Sequence, residues 1–273
     1  MIAGVAGPLR LATTAMGTRF ELVIAGGPED WLRTVGEAAL EEIEACHSRL
    51  TRFEQDSLLA HIHREAFSHP VRLDADTFAL FADALFVQKA SGGAFDIDIG
   101  RAMDAWGVGD RPDAARASAS FVLDSQEFTI RLLRPDVRFD LGGIAKGHAI
   151  DLAVRVLREN GVFCALLHGG TSSVRAIGAP PGTGGWRIRL GKSEGAAEIE
   201  LRDRALSVSS PAGDQPATHG HILDPRTGTS VQSSRLVAVA GPTTRMADAW
   251  STALAVTGER PETLGGEWYT HFG

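Results

Sequence analysis

Helical and strand-like periodicities are divided unevenly along this chain, and no other feature of the sequence narrows its fold as much. Over 29–50, Val35, Ala39, Ile43, Cys46 and Leu50 recur at the three-to-four-residue interval that keeps side chains on one helix face. A second helix is expected from about Asp74 to Ser91, with an Asp-Ala-Asp start suited to capping and Gly92-Gly93 to stop it. A third follows the octet at 140–147 and runs to about Asn160, with Ala149, Ala153, Val156 and Leu157 on one face and Gly161 past its end. One strand is expected at 18–25, and short β-like runs near 120–123, 127–133 and 137–139. Beyond 160 the chain turns to strands, at 163–168, 172–177, 186–191, 197–201, 205–209 and 235–240, before a closing helix from Arg245 to Val256. Strands following one another without regular helical crossovers cannot build a doubly wound parallel sheet. The expectation is therefore α+β with antiparallel sheets and packed helices. The stretches at 110–118 and 179–185 read as loops rather than domain boundaries.

With 273 residues and 44% hydrophobic content, the chain is long enough to bury a sizeable core. A net charge of −7 with no basic face argues against nucleic acid as a partner. No apolar run approaches the roughly 18 residues that read as a membrane-spanning helix. Residues 1–7, Met-Ile-Ala-Gly-Val-Ala-Gly, have neither the basic start nor the long apolar stretch of a secretory signal, and no nearby cysteine could carry a lipid. The expected location is cytoplasmic by default, and periplasmic or membrane-anchored if the sequence is a piece of an exported protein. Cys46 and Cys164 sit in apolar periodic segments and read as buried thiols.

Five segments carry residue types suited to chemistry. Asp140-Leu-Gly-Gly-Ile-Ala-Lys146-Gly joins a strand-like run to a helix. Its glycines allow close backbone approach, and the amides of a helix start can face an anion. Its spacing is neither that of a dinucleotide fingerprint nor that of a P-loop, and a tight strand-to-helix turn with Asp140 as cap explains it equally well. Met16-Gly17-Thr18 is a turn into a strand, or a flexible apolar surface for an aromatic ring. Gly92-Gly93-Ala94-Phe95-Asp96 caps a helix, or sets small residues and a hydrogen-bond-accepting Asp96 against a planar ligand. His221 precedes an Asp-Pro-Arg-Thr-Gly turn and can take a proton near neutral pH. Asp248 and Thr252 share a helix face, and two hard oxygen donors there suit Mg²⁺. An acidic residue favourably placed in a first helical turn is the structural alternative.

Taken in order, these segments resemble the ApbE family, the FAD:protein FMN transferases, from Met16 to Gly258. Thr51-Arg52-Phe53 and Asp56-Ser57 match a further family stretch loosely, and Trp106-Gly107 completes the segment around residues 92–96. The resemblance implies an ApbE/T-fold-like single domain over 1–273, helix-rich to about 160 and strand-rich after it. It implies FAD contacts at Met16, Phe53, Ala94, Phe95, Asp96, Asp140, Lys146 and Ile222. It implies a metal held by the Gly143 carbonyl, Asp248, Thr252 and Ser251. It implies Mg²⁺-dependent cleavage of the FAD pyrophosphate, with FMN passed to a threonine or serine of a target protein and AMP released. His221 would then activate the acceptor hydroxyl, and Lys146 would stabilise charge on the pyrophosphate. Three departures stand out: Gly169-Gly170-Thr171 where Gly-Gly-Asp is common, His148 in place of an aromatic residue, and no export signal. Two other readings use the same pocket, an FAD pyrophosphatase yielding FMN and AMP, and a protein that binds FAD without turning it over.

Overall fold

The computed structural model describes residues 7–105, 119–191, 195–211, 222–233 and 235–273. The chain opens with the hairpin β1 (Leu9–Ala15) and β2 (Thr18–Ile24), followed by α1 (Glu29–Leu50) and α2 (Leu58–Glu65). Next come β3 (Val71–Arg72), α3 (Ala75–Ala90), α4 (Gly100–Ala105), β4 (Phe121–Asp124), β5 (Thr129–Leu132) and α5 (Ala145–Glu159). Strands then dominate: β6 (Ala165–Gly169), β7 (Ser173–Ile177), β8 (Trp186–Arg189), β9 (Glu198–Leu201) and β10 (Ala205–Ser209). The short hairpin β11 (Leu223–Asp224) and β12 (Thr229–Ser230) precedes β13 (Val237–Gly241), α6 (Thr244–Thr257) and β14 (Tyr269–Phe272).

Seven strands form the main sheet in the order β1-β2-β6-β7-β10-β13-β14, and every neighbouring pair is antiparallel. This is the α+β, antiparallel architecture expected from the sequence. Strand alternation assigns the faces. Phe20, Leu22, Ile24, Leu167, Ala205 and Val239 join the helices in the principal core, whereas Val174, Ala176, Leu206, Ala238 and Ala240 pack under the β8–β9 hairpin. On the helix side α5 lies between α1 and α6, and α6 runs over β10 and β13. Phe81, Phe121 and Phe139 meet with ring centroids 5.2–5.8 Å apart and join α3 to the smaller sheet β3-β5-β4.

The start of α6 is fixed from outside the helix. Thr243 precedes it and makes no side-chain cap; instead both Asp151 oxygens, from α5, accept the Thr244 and Arg245 N–H groups at 2.9 Å. Orphan first-turn donors are thus satisfied across the α5–α6 contact. Desolvation holds the Asp151 carboxyl above its ordinary value against the pull of those N–H groups.

Two histidines are held neutral in this core. Burial, with Arg245 beside it, lowers the His148 pKa to about 3, and its Nδ1 accepts from the Arg245 guanidinium at 3.3 Å. Burial, then the Arg138 charge, lowers His63 to about 4, and its Nε2 accepts the Phe139 N–H at 2.8 Å. Both folded values lie below the ordinary 6.5, so the unfolded chain binds more protons as pH falls below 6.5. Their stabilisation is therefore fully present above pH 6.5 and is lost as pH falls toward 4. Urea unfolding is expected to give about 2–4 kcal/mol less stability at pH 5 than at pH 7. His148→Gln should flatten that slope, and a slope unchanged in the variant would exclude His148 as its source.

Candidate active site

The octet lies where the loop before α5 meets α6. Asp140 donates its N–H to the Ile97 carbonyl at 2.7 Å, which ties the octet to the Gly92–Asp96 segment. Its Oδ1 accepts the Gly142 N–H at 2.8 Å in an Asx-type turn. Gly143 sits between two side chains: a Cβ built on it would lie 3.2 Å from Phe95 Cε2 and 3.2 Å from Thr252 Oγ1. Any side chain there would separate the loop from α6.

Not all of the helix start is open to an anion, contrary to what its sequence suggested. The Ala145 and His148 amides donate to the Leu141 and Ile144 carbonyls, and the Gly147 amide donates to Asp248 Oδ2 at 3.0 Å. The Lys146 ammonium brings a positive charge to this helix start; it donates to the Gly142 carbonyl at 3.1 Å and lies 4.0 Å from Asp248 Oδ2.

Asp248 is only 3% exposed. A buried carboxylate needs donors, and it has them: its Oδ1 accepts from both Ser173 and Ser207 at 3.0 Å, and its Oδ2 takes the Gly147 N–H. Helical spacing separates its two hydroxyl neighbours. Ser251, fully buried, lies 3.0 Å from the Ser207 hydroxyl and 2.9 Å from that of Ser209, and donates to the Asp248 carbonyl. It faces β10. Thr252, one residue on, faces Gly143 while also donating to the Asp248 carbonyl at 3.1 Å.

Of the other segments, the Gly92–Asp96 turn, through Phe95, and Arg52 reach the same loop. Ala94 and Phe95 are buried, and the built Cβ of Gly93 comes within 3.7 Å of Arg226 Cγ, so the turn after α3 meets the β11–β12 turn. That second turn is stapled internally by a two-point Asp224–Arg226 pair at 2.9 Å. Ile222, at its base, is buried. Asp96 accepts from Gln88 Nε2 at 2.6 Å and from the Asp98 N–H at 2.8 Å; burial nevertheless pushes its carboxyl above the ordinary value. Phe53 is 82% exposed, with the Arg52 guanidinium 4.8 Å from its ring centroid. Arg52 also reaches Asp104 at 2.6 Å and Asp140 at 3.4 Å. Met16 occupies the β1–β2 turn at φ +51° and packs on the core.

Thr171 lies exposed in the β6–β7 turn, where the Gly170 N–H donates to the Arg19 carbonyl at 2.8 Å. His221, Trp106 and Gly107 lie outside the described residues. Arg52, Ser173, Ser207 and Ser209 were not singled out by sequence reasoning. The alternation at 205–209 would have put Ser207 and Ser209 on one face, but nothing in the sequence pairs Ser207 with Ser173.

A sheet clad by helices on one face, with a carboxylate, a hydroxyl and an ammonium gathered at a helix start, makes this an α+β protein with a polar site between loop and helix. Residues 16–264 match the ApbE family, and the chain belongs to that family. It is 29% identical over 264 residues to the FAD:protein FMN transferase of Treponema pallidum, with 81% of this chain and 72% of that one covered. To the FAD:protein FMN transferase of Haemophilus influenzae it is 25% identical, with 92% and 81% covered. The ApbE protein of Thermotoga maritima has the same fold, with a TM-score of 0.80 at 25% identity and 92% and 87% covered. The flavin transferase ApbE of Vibrio cholerae, at 22% identity, matches in fold with a TM-score of 0.79 and 97% and 96% covered.

Proposed function

We propose that the protein takes FAD as substrate, passes its FMN portion to a threonine or serine hydroxyl of a target protein and releases AMP, with Mg²⁺ as the metal. The observation that carries this reading is the meeting of Gly143, Lys146, Asp248 and Thr252 at one helix start, in a chain whose relatives are FAD:protein FMN transferases. Among the described residues, no three His, Cys, Asp or Glu gather as a metal cluster. That suits Mg²⁺, which binds through one or two carboxylates and completes its shell with water and substrate phosphate. Asp248 would supply the carboxylate, Thr252 a hydroxyl and Gly143 a carbonyl. Ser251, whose hydroxyl is already engaged by Ser207, Ser209 and the Asp248 carbonyl, would support this set from behind. Bound there, Mg²⁺ would neutralise charge on the FAD pyrophosphate.

Lys146 would add a second positive charge beside the same phosphates, aimed where charge builds as the bridging bond breaks. Arg52 covers one face of the Phe53 ring, leaving the other to a flat ring system of the substrate. Met16, Ala94, Phe95 and Ile222 would furnish apolar walls, with Asp96 and Asp140 as hydrogen-bond acceptors. The acceptor oxygen attacks the FMN phosphorus, the bond from that phosphorus to the AMP phosphate oxygen breaks, and the hydroxyl proton passes to His221. AMP leaves, and a phosphoester remains on the target.

Incubation with FAD and Mg²⁺, with and without a flavin-accepting protein domain, tests this by mass spectrometry. The expected result is an acceptor heavier by one FMN, with AMP released. Free FMN and AMP without acceptor modification would make the protein a pyrophosphatase, and intact FAD in both reactions would reject turnover altogether.

A further inference from the structure

We propose that Ser173 and Ser207 are positioning residues for metal binding: as a cross-strand pair they fix the Asp248 carboxylate so that Oδ2 is the oxygen it offers to a divalent cation. The inference rests on the metal reading above. Ser173 on β7 and Ser207 on β10 are direct partners in the antiparallel register, so both project from the same sheet face toward α6. Both are fully buried, and both hydroxyls lie 3.0 Å from the same oxygen, Asp248 Oδ1.

A carboxylate rotating about its last torsion presents either oxygen, or both, to a cation. Two hydroxyls on Oδ1 remove that freedom. Oδ2 carries one N–H, from Gly147 at 3.0 Å, and lies on the side of Lys146 and the octet. The pair is itself held in place: the Ser207 hydroxyl meets that of Ser251 at 3.0 Å, Ser251 meets Ser209 at 2.9 Å, and Ser173 meets Ser172 at 3.3 Å. Each hydroxyl has one proton to donate: those of Ser173 and Ser207 go to Oδ1, so Ser172 donates to the Ser173 oxygen, and Ser251 divides its proton between the Ser207 oxygen and the Asp248 carbonyl. A sheet strand is a rigid place from which to orient a ligand. Groups that hydrogen-bond a metal-binding carboxylate typically set metal affinity by a factor of about 10 to 100.

The test is Mn²⁺ titration of the full chain without FAD, followed by loss of the paramagnetic resonance signal of free Mn²⁺, with Mg²⁺ as competitor. Wild type, S173A, S207A and S173A/S207A are compared, and metal-free melting is recorded for each. The Mn²⁺ Kd is expected to rise about 10- to 100-fold in the double variant and by a smaller factor in each single variant. FAD affinity measured without metal should be unchanged. A purely structural role would lower the metal-free melting temperature and leave the Mn²⁺ Kd of the folded variant alone. Wild type binding Mn²⁺ while the variants bind it equally well overturns the pair's role and leaves the metal reading standing. If the double variant does not fold, unchanged affinity in both single variants overturns that role just as firmly. Wild type that binds no Mn²⁺ overturns the metal reading, and the role of the serine pair with it.

Discussion

Asp248→Asn is expected to lower Mg²⁺-dependent FMN transfer by a factor of about 10²–10³, the usual cost of removing one preorganised electrostatic group from a reacting centre, while FAD still binds. The substitution keeps the shape of the side chain and one oxygen acceptor, so Ser173 and Ser207 can still donate to it. It removes the negative charge, and it can place an amide N–H₂ opposite the Gly147 N–H, which now donates to Oδ2. Two donors facing each other cost about 1–3 kcal/mol when buried, so some loss of thermal stability is expected as well. Transfer rates against Mg²⁺ concentration, with FAD binding followed separately by flavin fluorescence, distinguish the two effects. Full activity in a folded Asp248→Asn protein would remove this residue from the metal set. Asp248→Ala is the harsher version, because it strips the acceptor from both serines and the amide together.

Gly147→Ala should destabilise the protein by about 3 kcal/mol or more, at the upper end for an overpacked site, with a melting temperature lower by roughly 5–10 °C. A Cβ at Gly147 would lie 2.6 Å from the Thr244 carbonyl carbon and 2.8 Å from Arg245 Cα, and nearer still to the Thr244 oxygen. These are backbone atoms of α6, and no rotamer can clear them. The helices would have to part, drawing the Asp151 carboxylate from the Thr244 and Arg245 amides and the Gly147 amide from Asp248. Stability and metal affinity should therefore fall together, which thermal melting and Mn²⁺ titration on one preparation would show. Undisturbed melting would mean that α5 and α6 do not cross this closely.

The long helices were legible because each has a wide apolar face, and one of them a capping residue within its own sequence. Asp74 accepts the Thr77 N–H at 2.8 Å, as its place before the helix suggested. The run at 137–139 reads as strand but pairs with no strand among the described residues, since the Arg138 and Phe139 amides donate to Asp98 Oδ1 and His63 Nε2. Side chains remote in sequence there take the place of a partner strand. β1, α2 and β14 were not legible. β1 alternates only weakly, through Leu, Thr and Ala, α2 is a short helix of 8 residues, and β14 pairs with β13 alone among the described strands. Such elements owe their form to neighbours more than to their own pattern.

The sequence alone determined the α+β class, the spans of the four long helices and, through the order of its short motifs, the ApbE family resemblance, because periodicity and motif order are local properties of a chain. Tertiary structure decided which atoms meet. It separated Ser251, turned to β10, from Thr252, turned to Gly143, although both lie within about one turn of Asp248. It put Ser173 opposite Ser207 through a register that no local pattern encodes. It also gave the final glycine of the octet its reason. At Gly147 α6 packs too closely to admit a Cβ, a constraint set by a neighbouring helix that no local pattern carries.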